Sequence, residues 1–367
     1  MISSEEISVK SFYYNDLFRD YIFNFKDLRK FYEYDYRNIE HYKKRILDIN
    51  EGYDQKNRSI LYDILKSYNR NIGCGKKTLE NIEKLREKNS LVVIGGQQPG
   101  FLTGPMFIIF KILTVLKISG YFEKKFNVPV VPCFWNASDD NNFSQVDNLN
   151  IIGDGITNIK LDLSGLDPKT RYSDIYLDGD KIEKTLKEME GVLHSTDFTA
   201  GIIDSYMNIL AGTVKNCSNA EGEINISSFF SSVVTGLFSS YGIVIIDPAG
   251  AELKRLSMDL LEFDIDNHNK ITDLITLSGK RLSGRGYHNQ LGIAEDTLDF
   301  FLKSGNARGK IYSEGNDSFR FSDKKYRKRE LRELIGENHD NISLNVVLRP
   351  LFQDKCLPVL CSVCGPG

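Results

Sequence analysis

Two adjacent glutamines in a glycine-rich segment, Gly95 to Pro105, are the first residues of this chain whose types and spacing suggest chemistry. Glycines admit close backbone approach to a ligand, a helix start offers unpaired N–H groups to an anion, and amides can orient a carboxylate or a sugar. The spacing matches neither G-x-x-x-x-G-K-S/T nor G-x-G-x-x-G, so a glycine-rich turn without a ligand is the alternative. The candidate substrate-binding residues are Gly96, Gln97, Gln98, Thr103, Gly104 and Lys111.

A second polar cluster, Asp139, Asp140 and Asn141, follows the apolar run that ends at Trp135. Adjacent carboxylates can bind an amine or Mg²⁺, and one whose pKa is raised by its neighbour can act as a general base. We predict that Asp139 and Asp140 are catalytic and that Asn141 binds substrate. The alternative is an Asp- and Asn-rich turn with no role in catalysis.

Further candidates are predicted from residue type. His288, in GYHNQL, is a candidate acid, base or hydrogen-bond donor, although a lone histidine is more often structural. Arg349, with Gln353 and Asp354 in LRPLFQD, combines a fork-shaped cation with two polar groups and suits a carboxylate or phosphate. A salt bridge explains these residues equally well. The C-x₄-C-x₂-C spacing that begins at Cys356 lacks the fourth cysteine of an iron–sulfur site, and we predict no metal site.

The elements that position these residues are predicted from hydrophobic runs. LVVIG, from Leu91, and VPVVPCFW, ending at Trp135, indicate two buried strands, and MFIIFKILTVLKI between them indicates a helix. We therefore predict an α/β fold with a Rossmann-like parallel sheet, in which the two strand ends bring the glutamines beside the acidic cluster. The segment GIVIIDP, ending at Pro248, indicates another strand, and one long helix is predicted over residues 251–278.

The predicted organisation has four parts. Residues 1–88, where aromatic residues recur between charges, form a helical N-terminal segment that packs on the core. Residues 89–290 form the Rossmann-like core. Residues 291–325 alternate apolar and polar positions between turn residues and form a small antiparallel β insertion. Residues 326–367 return to the core.

Charge and hydropathy exclude several classes of partner. A formal net charge of -3 over 367 residues supplies no general positive field for nucleic acid or an anionic membrane. The most apolar stretch, residues 106–121, contains Lys111 and Lys117 and falls short of the ~20 residues that a membrane span needs. No signal peptide or disulfide framework is evident. The sequence predicts a cytoplasmic protein that acts on small molecules.

Five segments, in order, resemble landmarks of the cysteine-adding enzyme of bacillithiol biosynthesis. They are VVIGGQQPGFLTGPMF, VPVVPCFWNASDDNNF, YGIVIIDPAGAELKRL, GYHNQL and NVVLRPLFQDKCLPVLCSVCGPG. The resemblance covers nearly the whole chain and implies a Rossmann-like core related to class I nucleotidyltransferases and aminoacyl-tRNA synthetases. It also implies a ligase that joins cysteine to the glucosamine amine of glucosaminyl malate, and a tendency to dimerise. ATP is a candidate cofactor by analogy with those relatives, although no motif identifies it.

The chain departs from the family's pattern in two places. The family usually has Glu-Asp-His-Asp where this chain has Asp139, Asp140, Asn141 and Asn142, and a carboxamide cannot transfer protons as imidazole does. His288 is the candidate replacement. Members usually continue past Gly-Pro-Gly into a helical coiled-coil domain that the 367 residues lack, so a homodimer is expected only if that region exists.

The ligase hypothesis assigns a role to each group of residues. The glutamine loop, residues 95–105, and the acidic loop, residues 139–142, form opposite walls of one pocket. Arg349 holds the malate carboxylates or an activated group, and His288 assists proton transfer. Two alternatives stay open: a degenerate or truncated relative that binds the sugar-malate or a partner without catalysis, and a nucleotidyltransferase-like enzyme that acts on another small substrate.

Overall fold

A computed structural model describes residues 14–152, 155–193, 196–256, 258–292, 296–305, 307–315 and 317–365. The predictions that fall on residues 1–13, on 293–295, 306 and 316 of the expected β insertion, and on 366–367 lie outside this part of the chain. None of the described helices is both long and apolar enough to cross a membrane.

Helices precede the first strand, as the sequence predicts. They are α1 (Asp16–Phe23), α2 (Ile39–Gly52), α3 (Asn57–Asn71) and α4 (Lys76–Lys84). Two of them begin at asparagine caps: the side-chain oxygen of Asn15 accepts the N–H of Phe18, and that of Asn38 accepts the N–H of Glu40. Such caps satisfy N–H groups that have no partner within the helix.

The predicted strand–helix–strand unit follows. It consists of β1 (Leu91–Gln97), α5 (Phe107–Phe126) and β2 (Val130–Asn136). The two strands are parallel, with Leu91 opposite Val130 and Gln97 opposite Asn136. Apart from the half-buried end of β1, both strands are buried, which explains why their sequences read as continuous apolar runs.

Between β2 and the next strand of the parallel sheet, the chain forms a group of short strands and helices of 12 to 19 residues that the sequence analysis did not predict. They are β3 (Asn148–Ile152), β4 (Ile156–Lys160), β5 (Tyr176–Asp178), α6 (Gly179–Val192), α7 (Thr199–Cys217), β6 (Glu223–Asn225) and α8 (Ile226–Leu237). β3 pairs with β4 and β5 with β6, both antiparallel. These elements pack around an apolar core of their own that includes Tyr172, Ile182 and Phe229.

The remaining elements complete the parallel sheet and build a second one. They are β7 (Val244–Ile246), α9 (Ala251–Arg255), α10 (Met258–Ser283), β8 (Thr297–Ser304), β9 (Ala307–Gly315), β10 (Ser318–Phe321), β11 (Lys324–Arg327), α11 (Lys328–Glu337), β12 (Ile342–Leu344), α12 (Leu348–Cys356) and β13 (Val359–Val363). The prediction of one helix over 251–278 is wrong, because the Leu256 N–H bonds to the Leu253 carbonyl in a tight turn that ends α9.

The parallel sheet has the order β13-β1-β2-β7, and the antiparallel sheet has the order β11-β10-β9-β8-β12. The protein therefore has the predicted α/β fold, with a Rossmann-like parallel core and an antiparallel addition. One face of the parallel sheet packs against α5 and α8, and the other shares an apolar core with the antiparallel sheet and α12. The antiparallel strands continue past residue 325 to Leu344, and the four-part division of the chain stays a prediction.

Helix side chains cover both edges of the parallel sheet. On the β7 edge, Asn69 donates to the Ile245 carbonyl and accepts its N–H, both at 2.9 Å. On the β13 edge, Arg45 donates to the Val359 carbonyl through Nε at 3.1 Å and Nη2 at 3.0 Å. Because open edges invite pairing with other chains, the N-terminal helices protect the sheet and limit it to four strands.

Asp264 of α10 carries a buried carboxyl group that makes stability depend on pH. One oxygen accepts the Asp299 N–H at 2.7 Å, the other has no partner among the described residues, and burial raises the pKa of Asp264 to about 7. Its pKa in the unfolded chain is near ~4. Between these values the folded protein keeps a proton that the unfolded chain has released, so stability falls as pH rises, by about 4 kcal/mol in all.

We expect Asp264→Asn, which keeps an acceptor for Asp299, to remove most of this slope. Relative to the unaltered protein, the variant should gain roughly 2–4 kcal/mol between pH 5 and pH 8 in urea unfolding. Asp266→Asn is the control, because Lys328 and Arg332 lower the pKa of Asp266 and its loss should destabilise the protein at pH 8. Equal gains at pH 8 for both variants would contradict the assignment.

Candidate active site

The glutamine loop leaves the carboxyl end of β1 and is held by Lys111 of α5. Lys111 Nζ donates to the Gly96 carbonyl at 2.9 Å and to Gln97 Oε1 at 3.0 Å. The Gln97 amide nitrogen in turn donates to Gln98 Oε1 at 2.6 Å. Burial lowers the pKa of Lys111. Lys111 thus orients the Gln97 amide directly and the Gln98 amide through Gln97. The Gln98 amide nitrogen is then available to donate to another acceptor.

That acceptor belongs to the acidic loop. Gln98 Nε2 donates to Asp140 Oδ2 at 3.0 Å. The contact follows from the register of the sheet, since Gln97 lies opposite Asn136 and Gln98 and Asp140 come shortly after these paired strand ends. The structure therefore brings together the two loops that the sequence places at neighbouring strand ends.

The backbone of the glutamine loop is tightly folded. Leu102, Thr103 and Gly104 all have left-handed φ values, of 51°, 80° and 62°. A Cβ atom on Gly100 would lie 2.8 Å from the Gly104 Cα, and one on Gly96 would lie 2.9 Å from the Trp135 carbonyl oxygen. These residues shape the loop through the backbone, and the Thr103 side chain is buried.

Asp139 lies deep in the acidic loop between two cations. Its carboxylate is 3.4 Å from Lys254 Nζ and 4.0 Å from Arg171 Nη1, and all three side chains are at most 7% exposed. Burial lowers the pKa of Lys254, and Asp139 opposes that shift. A buried carboxylate needs buried partners, and Asp139 joins the segments that carry Lys254 and Arg171, while its catalytic role stays a prediction.

Asp140 is more accessible, with 22% of its side chain exposed, and it meets Arg308 of β9. Arg308 Nη1 lies 3.4 Å from both Asp140 Oδ1 and Asn141 Oδ1. The guanidinium is fixed by a 3.0 Å bond from Nε to Ser343 Oγ and by the Phe301 ring, whose centroid is 4.1 Å away. Asp140 therefore presents a carboxylate to solvent beside a rigid cation.

A buried polar network joins the ends of β2 and β7 beneath this surface. Asn136 donates to Ser227 Oγ at 2.8 Å, and Ser138 Oγ bonds to Asp247. The other Asp247 oxygen lies 3.2 Å from both Ser227 Oγ and Tyr68 Oη. Burial raises the pKa of Asp247. The network places a third strand end next to the acidic loop.

Sequence reasoning missed four charged residues of this region: Arg171, Asp247, Lys254 and Arg308. Asp247 and Lys254 follow the strand in GIVIIDP, so their position at a third strand end was a usable signal. Arg171 and Arg308 come from segments whose sequences give no indication of contact with the parallel sheet.

The predicted residues of α12 divide between two locations. Arg349 lies at the acidic loop, where it lines a small cavity with Asp139. Gln353 is half-buried on the same helix. Asp354 lies 3.2 Å from Arg45, the residue that also bonds to the first residue of β13. The structure therefore places Asp354 at the amino end of the parallel strands, away from the glutamine loop.

His288 has neighbours different from those of the acidic loop. It is exposed, and its ring lies 2.6 Å from the side-chain nitrogen of Gln290. Gln290 lines a cavity of about 640 Å³ beside β13. The walls of this cavity, called here the aromatic cavity, include Tyr21, Tyr32, Tyr36 and Tyr42 together with Cys361 and Cys364.

No described group of three or more His, Cys, Asp and Glu side chains is arranged to hold a metal ion. The model of the N-terminal Rossmann-like domain of the bacillithiol biosynthesis family BshC matches residues 2–367. The chain belongs to this family. Its fold and its landmarks at the ends of β1 and β2 thus agree with the family resemblance.

Individual relatives named "Putative cysteine ligase BshC" match most of the chain. The one from Geobacillus thermodenitrificans is 30% identical over 352 residues, which are 95% of this chain and 62% of the relative. The one from Bacillus licheniformis is 30% identical over 366 residues, 99% of this chain and 64% of the relative. That from Salinibacter ruber is 28% identical over 357 residues. The chain spans less than two thirds of the length of these relatives.

The close approach of Gly100 to Gly104 generates a stability prediction. We expect Gly100→Ala to destabilise the protein by about 1–3 kcal/mol, because the added methyl group meets backbone that cannot move aside. Gly120→Ala in α5 is the matched control: the new methyl group meets nothing within 4 Å, and the helix should gain about 0.5–1 kcal/mol. Urea unfolding of both variants checks the pair, and equal effects would refute the tight loop.

Proposed function

We propose that this chain is the Rossmann-like part of a ligase that forms an amide between cysteine and the glucosamine amine of glucosaminyl malate. Membership of the BshC family supports the reaction class, and the names of the relatives suggest cysteine as a substrate. The observation that carries the proposal is the Gln98–Asp140 contact, which joins the two loops at the carboxyl edge of the sheet. Ligands of open α/β sheets bind at that edge.

Asp140 is the proposed base. The glucosamine amine is an ammonium ion at neutral pH and must lose a proton before its nitrogen can attack a carboxyl carbon. A partly exposed carboxylate can accept a hydrogen bond from that ammonium and then take the proton as the carbon–nitrogen bond forms. In this assignment Asp139, paired with two buried cations, positions Asp140, while His288 is left without a role at the acidic loop.

The amides of Gln97 and Gln98 are proposed to orient the substrates. Both are half-buried at the end of β1, and Lys111 and Asp140 set the direction in which each amide points. An amide presents a donor and an acceptor together, which suits a sugar hydroxyl or the amino and carboxyl groups of cysteine. Asn141, beside Arg308, is the neighbouring candidate.

Activation of the cysteine carboxyl group by ATP is proposed by analogy with relatives of the fold. The start of α5 has no side-chain cap at Met106, and backbone N–H groups at an uncapped helix start can receive an anion. When bound, ATP would convert the carboxylate into a form with a good leaving group. Action in the cytoplasm and a homodimer built through a further region stay predictions.

Restoration of bacillithiol tests the proposal. The complete gene product is expressed in a bacillithiol-producing strain that lacks its cysteine-adding enzyme, and bacillithiol and glucosaminyl malate are measured by mass spectrometry. We expect the thiol to return. If glucosaminyl malate accumulates although soluble protein is abundant, the ligase proposal is contradicted and a relative that binds without catalysis is favoured.

A substitution at Asp140 tests the site itself. Asp140→Asn keeps the acceptor for Gln98 but removes the base, so we expect purified protein to form amide about 10²–10⁴-fold more slowly. Asp323→Asn is the control, because Asp323 is exposed in a turn between β10 and β11. Near-normal turnover of folded Asp140→Asn protein would show that a group other than Asp140 accepts the proton of the glucosamine ammonium ion.

A further inference from the structure

The indole N–H of Trp135 is an unusual feature of the acidic-loop region. Trp135 lies near the end of β2 with 2% of its surface exposed, and Nε1 has no acceptor among the described residues. A buried donor without an acceptor is destabilising, and native proteins seldom retain one unless water or a ligand completes it.

A small cavity adjoins this tryptophan. Its volume is about 10 Å³, and its lining residues are Trp135, Ala137, Asp139, Pro248, Leu344 and Arg349. A space of this size holds about one oxygen atom. Most of the lining is apolar, so an oxygen that enters must find its partners among the few polar groups present.

Arg349, which is half-buried, lines the same cavity. Its backbone N–H bonds to the Asn345 carbonyl, while its guanidinium makes no hydrogen bond or ion pair with any described residue. An arginine and a tryptophan that line one cavity can together supply N–H donors to a carboxylate oxygen. Asp139, on the same wall, already has two cations of its own.

The surrounding charge also favours an anion. Burial lowers the pKa of Arg308. The carboxylates of Asp139 and Asp140 oppose this shift, whereas repulsion from Arg349 and Arg171 adds to it. Arg171 is paired with Asp174 at 2.8 Å and Lys254 lies 3.4 Å from Asp139, so among the described residues the cation of this corner that lacks an ion-pair partner is Arg349. An anionic group placed beside Arg349 would relieve this repulsion.

We infer that Trp135 Nε1 and the Arg349 guanidinium bind one carboxylate oxygen of the malyl group of the substrate. This inference rests on the proposed function, which supplies the malyl group. The malyl carboxylates keep their charge throughout amide formation, whereas the cysteine carboxyl group loses its charge when it is activated. A permanent donor pair therefore suits the malyl group.

Binding measured without turnover tests this subsite. Titration calorimetry is performed on the 367-residue chain with glucosaminyl malate, with methyl glucosaminide, which lacks both carboxylates, and with cysteine. We expect Arg349→Met to weaken glucosaminyl malate about 10- to 100-fold and Trp135→Phe about 3- to 10-fold. Neither should alter the affinity for methyl glucosaminide. Arg349→Lys should be intermediate, and Arg329→Met, on the exposed face of α11, should have no effect.

The tryptophan offers a direct signal, because it is the single tryptophan of the chain. With ¹⁵N-labelled tryptophan, the indole N–H resonance of the unaltered protein should shift when glucosaminyl malate or L-malate is added and stay in place with methyl glucosaminide. Because this measurement uses the unaltered protein, it tests the role of Trp135 even if the Trp135→Phe variant fails to fold.

The outcomes separate the subsite from the reaction. The subsite would be refuted if the variants lost equal affinity for glucosaminyl malate and methyl glucosaminide, or lost affinity for cysteine alone. It would also be refuted if the indole N–H resonance did not shift when L-malate was added. Protein that binds glucosaminyl malate through these residues but forms no amide would refute the ligase activity and leave the subsite established.

Discussion

The burial of Asp139 is the constraint on which the rest of the site depends. A carboxylate this deeply buried requires cations that are buried with it, and these come from distant parts of the chain. Lys254 lies in α9, after β7, and Arg171 lies in the segment between β2 and β7. Arg171 also donates to the Asp340 carbonyl and Lys254 to the Ile342 carbonyl, both near the start of β12. Four segments therefore meet at one carboxylate, and displacement of any of them leaves buried charge unpaired.

The order of the strands explains why polar groups collect on both sides of β1. β2 and β7 lie to one side and β13 to the other, so the direction of strand addition reverses at β1, where open α/β sheets form their ligand crevice. Lys111 stands at this point. It orients the glutamine loop on one side, and on the other its charge only partly opposes the desolvation that raises the pKa of Cys364. The glutamine loop and Cys364, a residue of the cavity beside β13, thus lie on two sides of the same lysine.

The part of the fold that the sequence predicts is the part that local pattern determines. The apolar runs at β1 and β2 and the helix between them require a parallel crossover, and this alone brings Gln98 to Asp140. Arg308 could not be found in this way, because its contact depends on how the antiparallel sheet packs against the parallel one. His288 and Asp354 were chosen by residue type alone, and the structure gives them neighbours away from the acidic loop. The strands between β2 and β7 are short, and the apolar core that they share with α6, α7 and α8 is revealed only by their mutual packing.

The position of β13 in the sequence means that one edge of β1 is covered late in synthesis. β1 and β2 leave the ribosome early, whereas β13, which covers the other side of β1, is separated from β2 by more than 220 residues. At about 5–20 residues per second, β1 waits roughly 10 to 45 s as an open strand edge. Arg45, made before β1, bonds to Val359, 314 positions later. The nascent chain is therefore exposed to strand-to-strand aggregation until β13 is made, and chaperones that shield open edges should raise its yield.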